Sequence, residues 1–290
     1  MKVAPLKKNL NNLTGKVLIT LLFFSWSVNA QKKEPVFKQY EFKSPYEFSW
    51  KKETPIVGIS LISYGVGSIL SRNMTSLSTE EILSLDRSNI SRFDRNATFK
   101  YSTRAAAGSD FLLASSYILP GLFLLEEDSK KAFGHIIILV QEVTLLTQGL
   151  TYMTKRSVKR ARPLVYNELV DLQEKQRKSS RYSFFSGHTS VTTANYFLFA
   201  KIYSDFYPDS KLKPYIWTTA ALVPAVTGWL RVEAGKHFYS DVITGYAVGA
   251  LIGYMVPQLH KNKSSSQSLS FYPTATGIGM RWQIGQTKRR

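Results

Sequence analysis

The 290-residue sequence has no cysteine, only four histidines, and 20 acidic residues against 38 lysines and arginines. Without cysteine there can be no disulfide, thiolate-held zinc, iron–sulfur cluster or thiol nucleophile. The histidines, at 135, 188, 237 and 260, are too far apart for a ligand pair, so neither a protein-held metal nor a cofactor is expected. Uninterrupted apolar runs of the ~20 residues that a membrane span uses are also scarce. The shortage of acids leaves a formal charge of +18, which directs attention to anionic partners.

Part of that charge belongs to the N-terminus. Lys2, Lys7, Lys8 and Lys16 precede the apolar run Val17-Leu18-Ile19-Thr20-Leu21-Leu22-Phe23-Phe24, and Val28-Asn29-Ala30 offers small residues before Gln31. This is the pattern of an export signal, residues 1–30, with cleavage expected after Ala30. Its four lysines leave with it, which takes the charge from +18 to +14. Five cations lie between Lys155 and Arg162. No nucleic-acid module or interleaved aromatics accompany them, so no nucleic-acid partner is expected, and anionic headgroups or phosphorylated substrates account for the charge more simply.

Residues 31–50, with Pro35 and Pro45, are expected to form an extended lead-in. Apolar segments then recur at roughly 56–70, 111–125, 133–153, 191–203, 215–230 and 242–256. Ser78-Thr79-Glu80-Glu81 fits a capping box at the start of a short helix, and Pro120, Pro214 and Pro224 fit helix starts or kinks. Residues 51–262 are therefore expected to be an all-α bundle of about six core helices. Its segments are short for spans, and one carries Gln141, Glu142 and Gln148; association with a membrane is expected nonetheless, with such polar groups facing the interior. Residues 263–290 read as a polar linker and a β-hairpin, because apolar residues alternate on both sides of Pro273-Thr274-Ala275-Thr276-Gly277. A lone hairpin is marginal and is expected to dock elsewhere.

Three short blocks carry chemistry. Lys155 and Arg162 are two helical turns apart and are expected to project from one face of a helix ending at Pro163, while Arg156 and Arg160 are read as solvated. An arginine can clamp two phosphate oxygens, and a lysine supplies a point charge. Ser186-Gly187-His188 precedes an apolar run and is expected to open a helix, where unpaired N–H groups and glycine let a phosphate approach the main chain; His188 can protonate a departing oxygen. In the third block Arg231 adds a cation, and His237 and Asp241 share a helix face if the stretch is helical. A carboxylate on one ring nitrogen would fix the tautomer and aim of an attacking imidazole. Asp94 and Asp110 cannot be placed from spacing, and His135 and His260 read as a packed and a surface histidine.

Together, Lys155-x6-Arg162-Pro163, Ser186-Gly187-His188 and Arg231-x5-His237-x3-Asp241 resemble the signature of the type 2 phosphatidic acid phosphatase superfamily, which also includes bacterial acid phosphatases and vanadium haloperoxidases. The resemblance covers roughly residues 105–258. It implies a helical bundle and a metal-independent phosphatase in which His237 forms a phosphohistidine, Asp241 orients it and His188 serves as acid and then base. It further implies that Lys155, Arg162, Ser186, Gly187 and Arg231 hold the phosphoryl group. Phe185 replaces the family's usual proline, and Leu230 its usual serine or threonine. The expected substrate is a lipid phosphate or diphosphate: phosphatidic acid, phosphatidylglycerol phosphate, an isoprenyl diphosphate or a lipid A type anchor. A vanadate-dependent haloperoxidase and a non-catalytic envelope protein are the alternatives.

Overall fold

The computed structural model describes residues 44–72, 74–262, 268–274 and 277–283, the last two stretches by backbone alone. The expected signal segment and most of the lead-in lie outside the described residues. Ten α-helices occur among those described, and six of them build the bundle. They are α1 (Trp50–Ser71), α2 (Thr103–Ser116), α3 (Phe133–Val158), α4 (Gly187–Phe206), α5 (Lys213–Glu233) and α6 (Tyr239–His260). Each of the six carries part of one expected apolar segment. The second segment is the least faithful: the helix ends at Ser116, and the apolar residues continue as a 3-10 turn, Leu119–Leu124, opened by Pro120. The expected capping box is present, with Glu81 N–H donating to Ser78 Oγ at 3.1 Å and Ser78 N–H to Glu81 Oε2 at 2.7 Å.

Helix α4 lies at the centre, packed against α2, α3, α5 and α6. Leu198 and Ile202 of α4 join Ile136, Leu139 and Val143 of α3 and Ile252 and Val256 of α6 in the main core. The start of α4 is different: Thr189, Ser190, Thr192 and Thr193 are all buried. Thr193 Oγ1 satisfies itself by donating to the Thr189 carbonyl at 2.7 Å, the local solution open to a hydroxyl in a dry helix. Three glycines of α6, Gly245, Gly249 and Gly253, let that helix lie against the α4 backbone. A Cβ on them would stand 2.6, 2.2 and 2.4 Å from the carbonyls of Ser186, Ser190 and Ala194. This small-residue seam, spaced by four, fixes the start of α6 beside the start of α4.

The outside of the bundle is apolar. Four stretches, Trp50–Ser71, Thr103–Leu124, Phe133–Tyr166 and Tyr239–His260, are long and apolar enough to cross a membrane, and at most 39% of their most apolar windows is buried in the protein. Leu61, Ile62 and Ile69 on α1 and Ile243, Leu251 and Leu259 on α6 are exposed. Of the polar residues of α3 expected to face the interior, Glu142 does so, at 4% exposed, and Gln148 is half-buried, but Gln141 is exposed. By length and composition these apolar faces suit a bilayer.

After α6, β1 (Ser268–Thr274) and β2 (Gly277–Gln283) pair antiparallel, from Ser268 opposite Gln283 to Thr274 opposite Gly277. The expected docking of this hairpin depends on side chains outside the described set.

Candidate active site

All three blocks meet at one end of the bundle, where α3 ends and α4 and α6 begin. Helix α3 stops earlier than expected. It ends at Val158, and Lys159 follows in the left-handed conformation with φ 52°, so Arg162 is not on the helix that carries Lys155. Arg162 instead precedes a 3-10 turn, Pro163–Tyr166, with its N–H donating to the Ser180 carbonyl at 2.8 Å. Its Nε is buried without a partner. Lys155 Nζ donates to the carbonyls of Tyr182 and Ser183 at 2.8 and 3.3 Å. The lysine stem crosses the start of α4, where a Cβ on Gly187 would lie 3.7 Å from Lys155 Cε and 3.2 Å from Thr151. A side chain at Gly187 would crowd Thr151.

Ser186 caps α4 by accepting from the Thr189 N–H at 3.4 Å and the Thr189 hydroxyl at 2.9 Å. Its own N–H donates to the Asp241 carbonyl at 3.0 Å, which joins the second block to the third. By helix geometry the N–H groups of Gly187 and His188 have no partner within α4 and face out of its start. That end carries the positive pole of the helix dipole.

The loop between α5 and α6 carries His237. Gly235 has φ +66°, and a Cβ there would lie 2.4 Å from the Lys100 carbonyl, so the turn requires glycine. His237 is 1% exposed, and its Nδ1 makes no hydrogen bond. Asp241 Oδ2 is 3.6 Å from that nitrogen, facing it but beyond hydrogen-bond length. The Asp241 carboxylate is fully buried and held by other donors: Arg160 Nη1 at 2.6 Å, the Phe238 N–H at 2.9 Å, and the Ser183 hydroxyl. Burial first, and then the fields of Lys155, Arg162 and Arg231, hold His237 well below the usual imidazole range. It is thus neutral, with a lone pair available.

Arg160 is not the solvated residue expected. It bridges Asp241 and Asp94, donating from Nη2 to Asp94 Oδ2 at 2.8 Å, and its guanidinium lies 3.9 Å from the Phe238 ring centre. Arg156 is held as well, by Ser71 Oγ at 2.6 Å and the Tyr152 ring at 3.5 Å. Asp94 also accepts from the Ser240 N–H at 2.9 Å. On the other side of the site, Asp110 of α2 pairs with His188 Nε2 at 2.7 Å and with Arg231 Nη1 at 3.3 Å. Arg231 further donates to Ser109 Oγ at 3.1 Å. Burial and the charge of Arg231 push the His188 pKa down to about 4, with Asp110 opposing them. Ser183, Arg160, Asp110 and Asp94 lie 58 to 146 residues away from their partners in the third block, and no local pattern marks them.

Residues 136–265 match the profile of the PAP2 superfamily. Over that stretch, less than half of its length, the chain is similar to that superfamily. Among curated proteins, it is 30% identical over 105 residues to a lipid A 4'-phosphatase of Porphyromonas gingivalis, a stretch covering 35% of this chain and 41% of that protein. The chain thus spans less than half the length of this relative. It is 29% identical over 153 residues to phosphatidylglycerophosphatase B of Bacillus subtilis, covering 51% of this chain and 70% of that protein. A crystal structure of a transmembrane PAP2-type phosphatidylglycerolphosphate phosphatase from B. subtilis aligns over 72% of this chain and 94% of that one, at 20% identity and a TM-score of 0.42. Both of these relatives are named as phosphatases.

Proposed function

We propose that this protein is a phosphoric ester hydrolase that removes a phosphate from a phosphorylated lipid through a phosphohistidine on His237. One observation carries the reading: a buried, neutral His237 lies in the field of Lys155, Arg162 and Arg231, with the Asp241 carboxylate facing its Nδ1. Such a site supplies a nucleophile and the compensation for a phosphoryl group's negative charge in one place.

In the proposed sequence, the three cations and the N–H groups of Gly187 and His188 hold the phosphoryl oxygens, with Ser186 shaping that helix start. His237 Nε2 attacks phosphorus, and the bond from phosphorus to the lipid oxygen breaks as the nitrogen–phosphorus bond forms. Protonated His188 gives its proton to the leaving oxygen. Asp241 stabilises the positive charge that develops on His237, and the 3.6 Å separation shortens to a hydrogen bond when Nδ1 becomes the stronger donor. Water then attacks the phosphohistidine, His188 takes the water's proton, and the nitrogen–phosphorus bond breaks to release phosphate. Water apart, the attacking and proton-transferring groups, His237 and His188, belong to the chain.

A lipid substrate is supported by the position of the site at the end of helices with exposed apolar faces. The relatives' names, lipid A 4'-phosphatase and phosphatidylglycerophosphatase B, point to the same class. The N-terminal signal pattern supports an exported enzyme whose site faces outward from the cytoplasmic membrane. The test is phosphate release in detergent from phosphatidic acid, phosphatidylglycerol phosphate, an isoprenyl diphosphate and lipid A, with wild type and His237→Ala side by side. Release by wild type and none by the variant supports the reading; equal release by both, or none by either on all four, overturns it.

A further inference from the structure

A second cluster of ionisable groups lies far from the phosphate site. Glu53 in the first turn of α1, Glu142 in the middle of α3 and His260 at the end of α6 each direct one ligand-type atom to a common point, with all three atoms within 4.8 Å of one another. Asp241 and His260 are on the same helix, 19 residues apart, so the cluster is ~28 Å along α6 from the candidate active site. The expectation that His260 is a surface residue fails: it is fully buried.

The tautomer of His260 follows from its other contact. Nδ1 is 2.8 Å from the Val256 carbonyl, and a carbonyl can only accept, so Nδ1 carries the hydrogen. In the neutral ring, Nε2 therefore presents its lone pair, and it presents it to carboxylates: Glu53 Oε2 at 3.1 Å and Glu142 Oε2 at 3.4 Å. Glu142 is 4% exposed, and neither of its oxygens receives a hydrogen bond. A charged His260 would bring a single N–H to this point, already nearer Glu53, and would still leave Glu142 without a hydrogen bond. Buried in the bundle, between helices that are candidate spans, the facing carboxyls of Glu53 and Glu142 need either a shared proton or a cation between them.

We propose that Glu53, Glu142 and His260 bind one divalent transition-metal ion of the Zn2+ kind. Two carboxylates and a neutral imidazole carry the two negative charges that such an ion balances, and the imidazole selects it over Mg2+ and Ca2+. The two separations from His260 Nε2, 3.1 and 3.4 Å, agree with this, because metal bonds of about 2.0–2.1 Å in a tetrahedron place neighbouring ligand atoms about 3.3–3.4 Å apart. The Nδ1 hydrogen bond to Val256 supplies the outer-shell support that orients a metal-bound imidazole. The ion would tie the start of α1, the middle of α3 and the end of α6 together. This site goes beyond the proposed hydrolase reaction and does not depend on it. It also reverses the expectation of no protein-held metal, since ligands at 53, 142 and 260 leave no spacing signal.

The test uses the full chain in detergent, with any affinity tag removed and metals stripped by a chelating resin, titrated calorimetrically with Zn2+ and analysed for bound metal. We expect one Zn2+ per chain, a rise in the unfolding temperature on binding, and retention of that ion in a His188→Asn, His237→Asn double variant. Glu142→Gln and His260→Asn should weaken binding by more than the roughly 10–100-fold that loss of an outer-shell partner costs. Glu142→Gln keeps the side-chain shape and removes the buried charge, so it is expected to fold. Absence of stoichiometric Zn2+ in wild type overturns the proposal. So does binding that survives both cluster variants or disappears in the active-site double variant.

Discussion

Arg160 Nη1 donates to Asp241 Oδ1 at 2.6 Å, while the same guanidinium holds Asp94 at 2.8 Å. Asp241 is therefore positioned between an arginine and the histidine it faces. Replacing Arg160 by alanine leaves Asp241 with two of its three donor groups and Asp94 with those of Ser240. Breaking a fully buried ion pair costs ~3–5 kcal/mol, and the partial exposure of Arg160 lowers this to ~2–3 kcal/mol. Arg160→Ala is expected to lower the unfolding temperature and to reduce kcat more than KM. A change in KM alone, measured with any accepted phosphoester, would contradict this positioning role.

His237→Ala is expected to reduce kcat by ~10³-fold or more while the protein still elutes as a single species from a sizing column. Asp241→Asn should behave differently. The amide keeps the shape but loses charge against Arg160, so stability and rate should fall together, with more residual activity than His237→Ala. Thermal unfolding and phosphate release measured on the same preparations check both statements.

The bundle and the three blocks were legible because their signals are local. Helical periodicity, a capping box at Ser78 and a helix-opening Ser186-Gly187-His188 each involve residues within one or two turns of each other. The extent of α3 was not legible, since Arg156 to Arg162 contains no proline or glycine and the stop is set by a left-handed Lys159 that a lysine does not announce. Arg160 looked like a solvated charge because its partners, Asp94 and Asp241, are brought to it only by the tertiary fold. The same holds for Asp110 and for the triad of Glu53, Glu142 and His260. The glycines of α6 were visible at intervals of four, but the backbone they press against was not.

The pairing of Asp110 with His188 leads to a pH prediction. To act as acid, His188 must be protonated, and in the free enzyme its pKa is pushed down to about 4. His237 must be neutral, and it remains so well below the usual imidazole range. Hence kcat/KM should rise as pH falls from 8 toward 5, by up to ~tenfold per unit where His188 titration limits it. Asp110 raises the pKa of His188, so Asp110→Asn should move this limb to lower pH and depress the rate at neutral pH. A pH–rate profile of kcat/KM for the two proteins decides the matter; a uniform drop without displacement would give Asp110 a merely structural role.

The seam between α4 and α6 makes the strongest demand on a single position. At Gly249 a Cβ would stand 2.2 Å from the Ser190 carbonyl and 2.9 Å from the Thr193 Cβ, and neither is the tip of a flexible side chain. Gly249→Ala must therefore push the helices apart. Overpacking of this kind costs ~1–3 kcal/mol, more than the ~1 kcal/mol that alanine returns by its helix propensity. The displacement also reaches the chemistry, because the same two helices present His188 from one start and Asp241 from the other. Gly249→Ala is expected to lose both stability and kcat, whereas Gly58→Ala, where a Cβ meets nothing within 4 Å, should keep kcat and hold or gain stability. Thermal unfolding and turnover of the two variants distinguish a packed seam from a general intolerance of added side chains in the bundle's helices.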